Sequence, residues 1–385
     1  MLLWRSLMPS KALLFKRSGL ATKMLHIALG IIVLGACVTH FFGEQGEIHL
    51  RSDKAQTLNH KSEIINHTSE ITLFLWDFQV VYDSDNNPVD YITELRLLDR
   101  SKSEIRNHKS EMMVDEGTIR MNRPLKYHNW RFCQSDYDSD LQGVVLAYNY
   151  DPWGIGITYT GYALLLVAMI AFFFQPRTRF RALLNNLTAK RSNSAAVYLL
   201  SALAVLIIVL ATIMTKVVTP KPPLQPVLQT PLLGIHVSVI MLAYTLFAVI
   251  ALCGIIGLCA SLAAHKAEGV RKKKFEILIL KSQIVSQILL YPAEFCLMAG
   301  IFIGAVWANM SWGRYWGWDP KETWALITML VYAFLLHWPW LKNKSSIINH
   351  KFEIWYHVFS VIAFLFVLFT YFGVSYLLGG LHSYA

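Results

Sequence analysis

Charged side chains are scarce. Asp, Glu, Lys and Arg make up 16% of the 385 residues, against about a quarter in ordinary soluble domains. With 55% hydrophobic residues and a mean hydropathy of +0.40, that shortage argues for a membrane protein before any motif is read. Cysteine is sparse too. Cys37, Cys133, Cys253, Cys259 and Cys296 form no CxxC pair, and only Cys133 lies in a sizeable region between apolar stretches. A disulfide-stapled module and an intrinsic thiol reductant are both disfavoured. The first apolar stretch has no small-residue cleavage site, so it reads as a retained span and not a removed signal.

What is abundant is long apolar sequence. A spanning helix needs roughly 20 such residues. Seven stretches qualify, near 24–42, 155–175, 196–215, 234–262, 284–307, 322–341 and 355–378. The fourth is long for one crossing, which implies tilt or extension beyond the bilayer. The net charge of +10 is unevenly placed. Arg177, Arg179, Arg181, Lys190 and Arg191 form one cluster. Lys266, Arg271, Lys272, Lys273, Lys274 and Lys281 form a second, and Lys342, Lys344 and Lys351 a third. All three fall on the side of the basic N-terminus, whereas the opposite loops carry only Lys216 and Lys221, and Arg314 and Lys321. The positive-inside rule then puts the N-terminus in the cytoplasm and the C-terminus outside. Basic residues so distributed are membrane anchors and not a nucleic-acid surface.

About 110 residues separate the first two spans, and they read as strands. ITLFLWDFQVVYD (71–83) is rich in β-branched and aromatic residues, DNNP (85–88) is a turn, YITELRLLD (91–99) alternates, and LQGVVLAYNYD (141–151) closes the set. The fold class is therefore a mainly α polytopic membrane protein of about seven transmembrane helices, with one extracytoplasmic antiparallel β domain inserted after the first. Its regions are a basic N-terminus (1–23), helix one (24–42), the β domain (43–153), helix two (154–176), a basic loop (177–195) and a five-helix domain (196–385). The pattern Asn-His-x-x-Glu recurs at 59–63, 66–70, 107–111 and 349–353. Its irregular spacing and its presence on both sides favour repeated insertions in surface loops over a metal site made by His60, His67, His108 and His350.

The chemistry concentrates in residues 304–327. Five of the twelve tryptophans, Trp307, Trp312, Trp316, Trp318 and Trp324, fall within 18 residues, interleaved with Gly313, Gly317, Asp319 and Pro320. An interfacial aromatic belt explains two or three of them. Five point to a platform for a flat apolar ligand, which glycines let approach the backbone. Arg314 and Lys321 can pair with carboxylates on such a ligand. Four histidines are placed in matched pairs at span ends: His26 and His337 inside, His236 and His382 outside. Paired imidazoles suit axial ligation of haem iron. Glu294, about ten residues into the fifth span, is costly there unless paired or hydrated. His357 and His40 read as interfacial residues.

WGRYWGWDPKETWAL (312–326) resembles the tryptophan-rich WWD motif of haem-handling proteins. PLLGIHVSVIMLAY (231–244), YAFLLH (332–337) and FGVSYLLGGLHSYA (372–385) extend the resemblance to the CcsA (ResC) family of system II cytochrome c biogenesis. Residues 24–51, GTIRMNRPLKYHNWRFCQSDYD (117–138) and DPWGIGITYTGYALLL (151–166) resemble its partner family, CcsB (ResB). The chain looks like a fusion of the two, shortened at its N-terminus.

The resemblance implies that haem b is a transported substrate. It is held first by His26 and His337, then by His236 and His382 over the tryptophan loop (307–324), with Arg314 and Asp319 among the contacting residues. There it is joined through thioethers to the CxxCH of apocytochrome c, a holocytochrome c synthase activity. The implied partners are apocytochrome c, haem, the lipid bilayer and a separate thiol-reducing pathway. No nucleic acid is among them. The implied location is the bacterial cytoplasmic membrane, with the C-terminus and tryptophan loop extracytoplasmic. A di-haem b-type electron-transfer anchor and a haem exporter without ligation activity are the alternatives.

Overall fold

The computed structural model describes residues 19–62, 67–99, 114–176, 178–188, 226–228, 230–341 and 350–378. Helix α1 (Leu20–Phe42) ends at Gly43, whose N–H bonds to the Thr39 carbonyl at 2.8 Å, and strand β1 (Glu44–Arg51) starts one residue later. Seven more strands follow: β2 (Gln56–Ser62), β3 (His67–Tyr82), β4 (Pro88–Asp99), β5 (Val114–Ile119), β6 (Leu125–Tyr127), β7 (Trp130–Tyr137) and β8 (Gly143–Tyr150). They form two antiparallel four-stranded sheets, ordered β1-β8-β7-β6 and β2-β3-β4-β5. Alternating residues face inward. Leu50, Phe132, Val144 and Leu146 from one sheet meet Ile71, Leu73, Leu95, Leu97 and Ile119 from the other. The expected β domain is thus a small sandwich.

Its placement follows from one pairing. β1 runs beside β8, with Glu44 opposite Tyr150, so the domain's entry and exit lie side by side. They feed α1 and α2 (Gly154–Phe174) as close antiparallel neighbours. Gly35 lies against Thr158, and Gly161 against Ile32 and the Ala28 carbonyl, where any side chain would collide. Small residues at helix contacts are what close packing in a membrane requires.

The first two Asn-His repeats differ from their expected loop placement. Asn59 lies opposite Glu70, and Ser62 opposite His67, so the two copies face each other as the continued β2–β3 hairpin. Similar sequences run antiparallel share one register, and strand pairing absorbs the insertion. The copy at 107–111 lies outside the described residues, and the fourth overlaps the start of α7 (His350–Leu368).

After the short helix α3 (Arg179–Thr188) come α4 (Pro231–Lys266), α5 (Gly269–Ser311) and α6 (Pro320–Leu341), then α7, which runs on as a π-helical turn over Phe369–Leu378. Among the described residues, five stretches are long and apolar enough to cross a bilayer: Leu20–Phe42, Gly154–Asn185, Pro231–Lys266, Gly269–Ser311 and Phe352–Leu378. The stretch expected to span at 322–341 forms the helix α6 but is not among these five, and the one at 196–215 lies outside the described residues. The fifth span is longer than expected. With 43 residues, α5 extends roughly 65 Å at 1.5 Å per residue, about twice the hydrocarbon thickness. The basic cluster at 271–274 is its exposed first turns and not a loop. His357 is not interfacial either. It is fully buried where α7 crosses α4, over Gly257, whose missing side chain makes room for the ring.

Candidate functional site

His26 and His337 are brought together. Their rings, from α1 and α6, lie 6.3 Å apart between centroids at an 80° interplanar angle. Each Nδ1 is 2.7 Å from the carbonyl one turn back, Thr22 for His26 and Ala333 for His337. In the neutral rings Nδ1 therefore donates and Nε2 keeps its lone pair, the arrangement second-shell bonds impose on metal-binding histidines. Both rings are exposed at the protein surface. The pair lies far from the β sandwich, since His26 precedes Phe42, where α1 meets the sandwich, by about 24 Å of helix.

His236 stands near the other end of the bundle. It lies in the second turn of α4, which Thr230 caps by accepting from the Leu232 N–H at 3.1 Å. Its Nδ1 bonds to the Gly300 carbonyl of α5 at 2.7 Å. The ring rests where a side chain on Gly304 would stand, at 2.6 Å from the position of its Cβ. Gly304 thus opens one face of α5 for the imidazole, one turn before Trp307, while Gly300 makes room for Ile240. His382 lies outside the described residues.

The five tryptophans do not make one shelf. Trp307 is buried in α5 and meets Trp312 at 4.8 Å and 67°. Trp316 and Trp318 meet at 5.9 Å and 88°. Trp324, in α6, packs on Phe369 of the π-helical turn at 4.2 Å. Only Trp318 is widely exposed, at 72%. It also holds φ at +56°, a left-handed backbone that bulky residues rarely adopt. Such strain is characteristic of functional sites.

The acidic residues of the motif organise the start of α6. Asp319 is the N-cap and Pro320 opens the helix. The Asp319 carboxylate accepts from the Lys321 N–H at 3.0 Å, and Glu322 accepts from the Asp319 and Gly317 N–H groups at 3.3 and 2.8 Å. That is a capping box extended to the glycine before it. Lys321 reaches Ser375 at 3.0 Å, tying α6 to the π-helical turn. Arg314 is exposed and lies across Gly317.

The loop is docked on the β sandwich. Asn149 of β8 donates to the Gly313 carbonyl at 2.8 Å, and the Gly313 backbone, at φ +74°, lies against Cys133 of β7. Tyr315 bonds to Thr39 of α1 at 2.5 Å and Thr158 of α2 at 3.3 Å, and Thr39 donates to Asp151 at 2.6 Å. Ser311 bonds to Asn122 at 2.5 Å. A cleft of ≈ 370 Å³ remains between loop and sheet, lined by Glu47, Ser135, Tyr148, Trp312 and Arg314 among others. Burial pushes the Cys133 thiol up to about 12, partly opposed by the Arg131 charge. Tyr315 lies inside the tryptophan run and so was visible in the sequence. Thr39, Asn149 and Gly304 carry no local signal that would single them out.

Residues 162–382 match the Cytochrome C assembly protein family, and residues 17–155 match the ResB-like family. The chain is 40% identical over 162 residues to Protein NrfI of Wolinella succinogenes, covering 42% of this chain and 17% of that protein. It is 39% identical over 166 residues to the cytochrome c biogenesis protein CcsA of Chlamydomonas reinhardtii, covering 42% and 43%. Against the CcsA of Guillardia theta it is 35% identical over 181 residues, covering 42% and 56%. The chain thus spans less than two thirds of each of these relatives. With two histidines joined at one end of the bundle, and a tryptophan loop clasped by a β sandwich at the other, the chain belongs to the cytochrome c assembly family and carries a ResB-like region ahead of it.

Proposed function

We propose that the chain receives haem b between His26 and His337, passes it to the tryptophan loop, and there promotes its covalent attachment to apocytochrome c. The His26–His337 pair carries this reading. Two metal–imidazole bonds of about 2 Å, with each ring nitrogen about 1 Å from its centroid, put the rings flanking one iron about 6 Å apart. The observed centroid distance is 6.3 Å. The residues present therefore fit a haem iron held from both sides.

At the other end His236, with His382, supplies the second ligand pair. Trp312, Trp316 and Trp318 supply apolar faces beside it, while Trp307 and Trp324 brace the loop from within. Arg314 offers a charge to a propionate, and Asp319 keeps the loop in shape through its cap. Each thioether forms by addition of a substrate S–H across a haem vinyl group, with no leaving group and no net oxidation. Holding the macrocycle in one pose against the incoming CxxCH supplies proximity, the main lever such a reaction has. The basic clusters orient the chain with its N-terminus in the cytoplasm of a bacterium and the loop outside.

The test is coexpression with an apocytochrome carrying CxxCH in a host lacking its own maturation system, followed by a stain for covalent haem. Product is expected from the wild type and not from His236→Ala or His382→Ala. A stable bis-histidine haem spectrum without product would make the chain an electron-transfer anchor instead. Full haem occupancy in His236→Ala would overturn the outer assignment.

A further inference from the structure

One buried group takes no part in either haem station. Glu294 lies within α5, 2% exposed, and neither carboxyl oxygen has a hydrogen-bond partner among the described residues. Tyr332 of α6 is fully buried, its hydroxyl is equally unpartnered, and it lies within electrostatic reach of Glu294. Pro292, two residues before Glu294, has no N–H, so the Ile288 carbonyl loses the donor an α-helix would give it. Polar groups at bilayer depth persist only when something satisfies them. At this site no described residue does so, and water is the small donor and acceptor that can.

The site is also connected. Gln283, Ser286, Gln287 and Glu294 are all buried, at spacings that repeat along one side of α5. Gln287 accepts from Arg179 at 3.0 Å, at the end of the bundle away from the β sandwich. Ser286 bonds to Tyr356 of α7 at 2.9 Å, and Tyr356 in turn lies within reach of Tyr332. The Gln283 side-chain oxygen is a further unpartnered acceptor on this line. Among the described residues, the ionisable groups around the site are Tyr332 from α6 and Tyr356 from α7, with Cys253 of α4 and Arg179 beyond Tyr356.

We propose that Glu294 and Tyr332 form a hydrated proton-exchange site inside the bundle, supplied with water from the Arg179 end along the Gln283–Ser286–Gln287 side of α5. Its ligands are water and the proton. The proton passes between a carboxyl oxygen and water, and nothing is oxidised or reduced. A carboxyl that gains or loses a proton there lets the bundle offset a change of charge nearby without burying a net charge.

The test is infrared spectroscopy of the full chain in lipid nanodiscs on exchange from H2O to D2O, a readout indifferent to haem ligation. A protonated-carboxyl band should shift within minutes and be missing from Glu294→Gln. Gln287→Leu should slow the shift at least tenfold without moving the band, which a packing role for Gln287 would not do. Glu294→Asp, the second variant should Glu294→Gln not fold, should show its own exchangeable band at a displaced frequency. The proposal is overturned if the wild type lacks an exchangeable carboxyl band, if exchange takes hours, if the band persists in Glu294→Gln, or if Glu294→Asp shows none.

Discussion

Gly304→Ala should disable the outer haem station proposed above without touching either proposed ligand. The added Cβ would stand 2.6 Å from His236 Cε1 and 2.7 Å from its Nδ1. Carbon atoms in contact prefer about 3.5–4.0 Å, so the ring must retreat by about 1 Å. The retreat breaks the 2.7 Å bond from His236 Nδ1 to the Gly300 carbonyl, and with it the bond that orients the imidazole. Losing such a second-shell bond costs about 10–100-fold in metal affinity, or about 1.4–2.7 kcal/mol. Holocytochrome yield should fall, and the outer bis-histidine spectrum should weaken, while the His26–His337 station keeps its haem. Gly234→Ala is the control, since a Cβ there meets nothing within 4 Å. Wild-type yield and spectrum in Gly304→Ala, or equal losses in both variants, would refute the reasoning.

Three further outcomes follow from the same geometry. His26→Ala and His337→Ala should each abolish the inner haem signal, and the double variant should lose no more than either alone, read from absorption spectra of purified protein. Asn149→Ala strands the buried Gly313 carbonyl and should loosen the loop by about 1–3 kcal/mol, seen as faster amide exchange over residues 312–318. Cys133 should resist maleimide at pH 8 until the protein is unfolded. Its folded thiol is pushed up to about 12, so it stays protonated where an ordinary thiol is already partly thiolate. The stability linked to that thiol is full below the unfolded value and is lost as pH rises toward 12.

The strands of the sandwich were legible because β-branched and aromatic runs such as 71–83 coincide with inward-facing positions that only a second sheet can cover. The inner histidine pair was legible because matched depth along two spans leaves few ways to arrange the rings. Other features depended on contacts far apart in sequence. Nothing local separates Trp307 and Trp324, which serve the interior, from Trp318, which faces outward. Asp319 in WDPKE looked like a ligand contact, yet the nearest unsatisfied groups are N–H groups at the start of α6, and capping claims it first. The basic run at 271–274 read as a loop because charge ends an apolar stretch. A helix paired along its length continues through such charges, and α5 does so beside α4.

The docking of the tryptophan loop has a consequence for how the chain can be divided. Several non-covalent bonds join the ResB-like region to the cytochrome c assembly region, among them Asn149 to Gly313, Tyr315 to Thr39 and Ser311 to Asn122. A break between Thr188 and Pro226, inside the stretch that matches the cytochrome c assembly family, leaves each of them possible. What a break removes is the effective concentration that a covalent connection supplies. Joined in one polypeptide, the two regions meet in a fixed one-to-one ratio at any expression level. Made as separate chains, they would meet only above the dissociation constant of that interface.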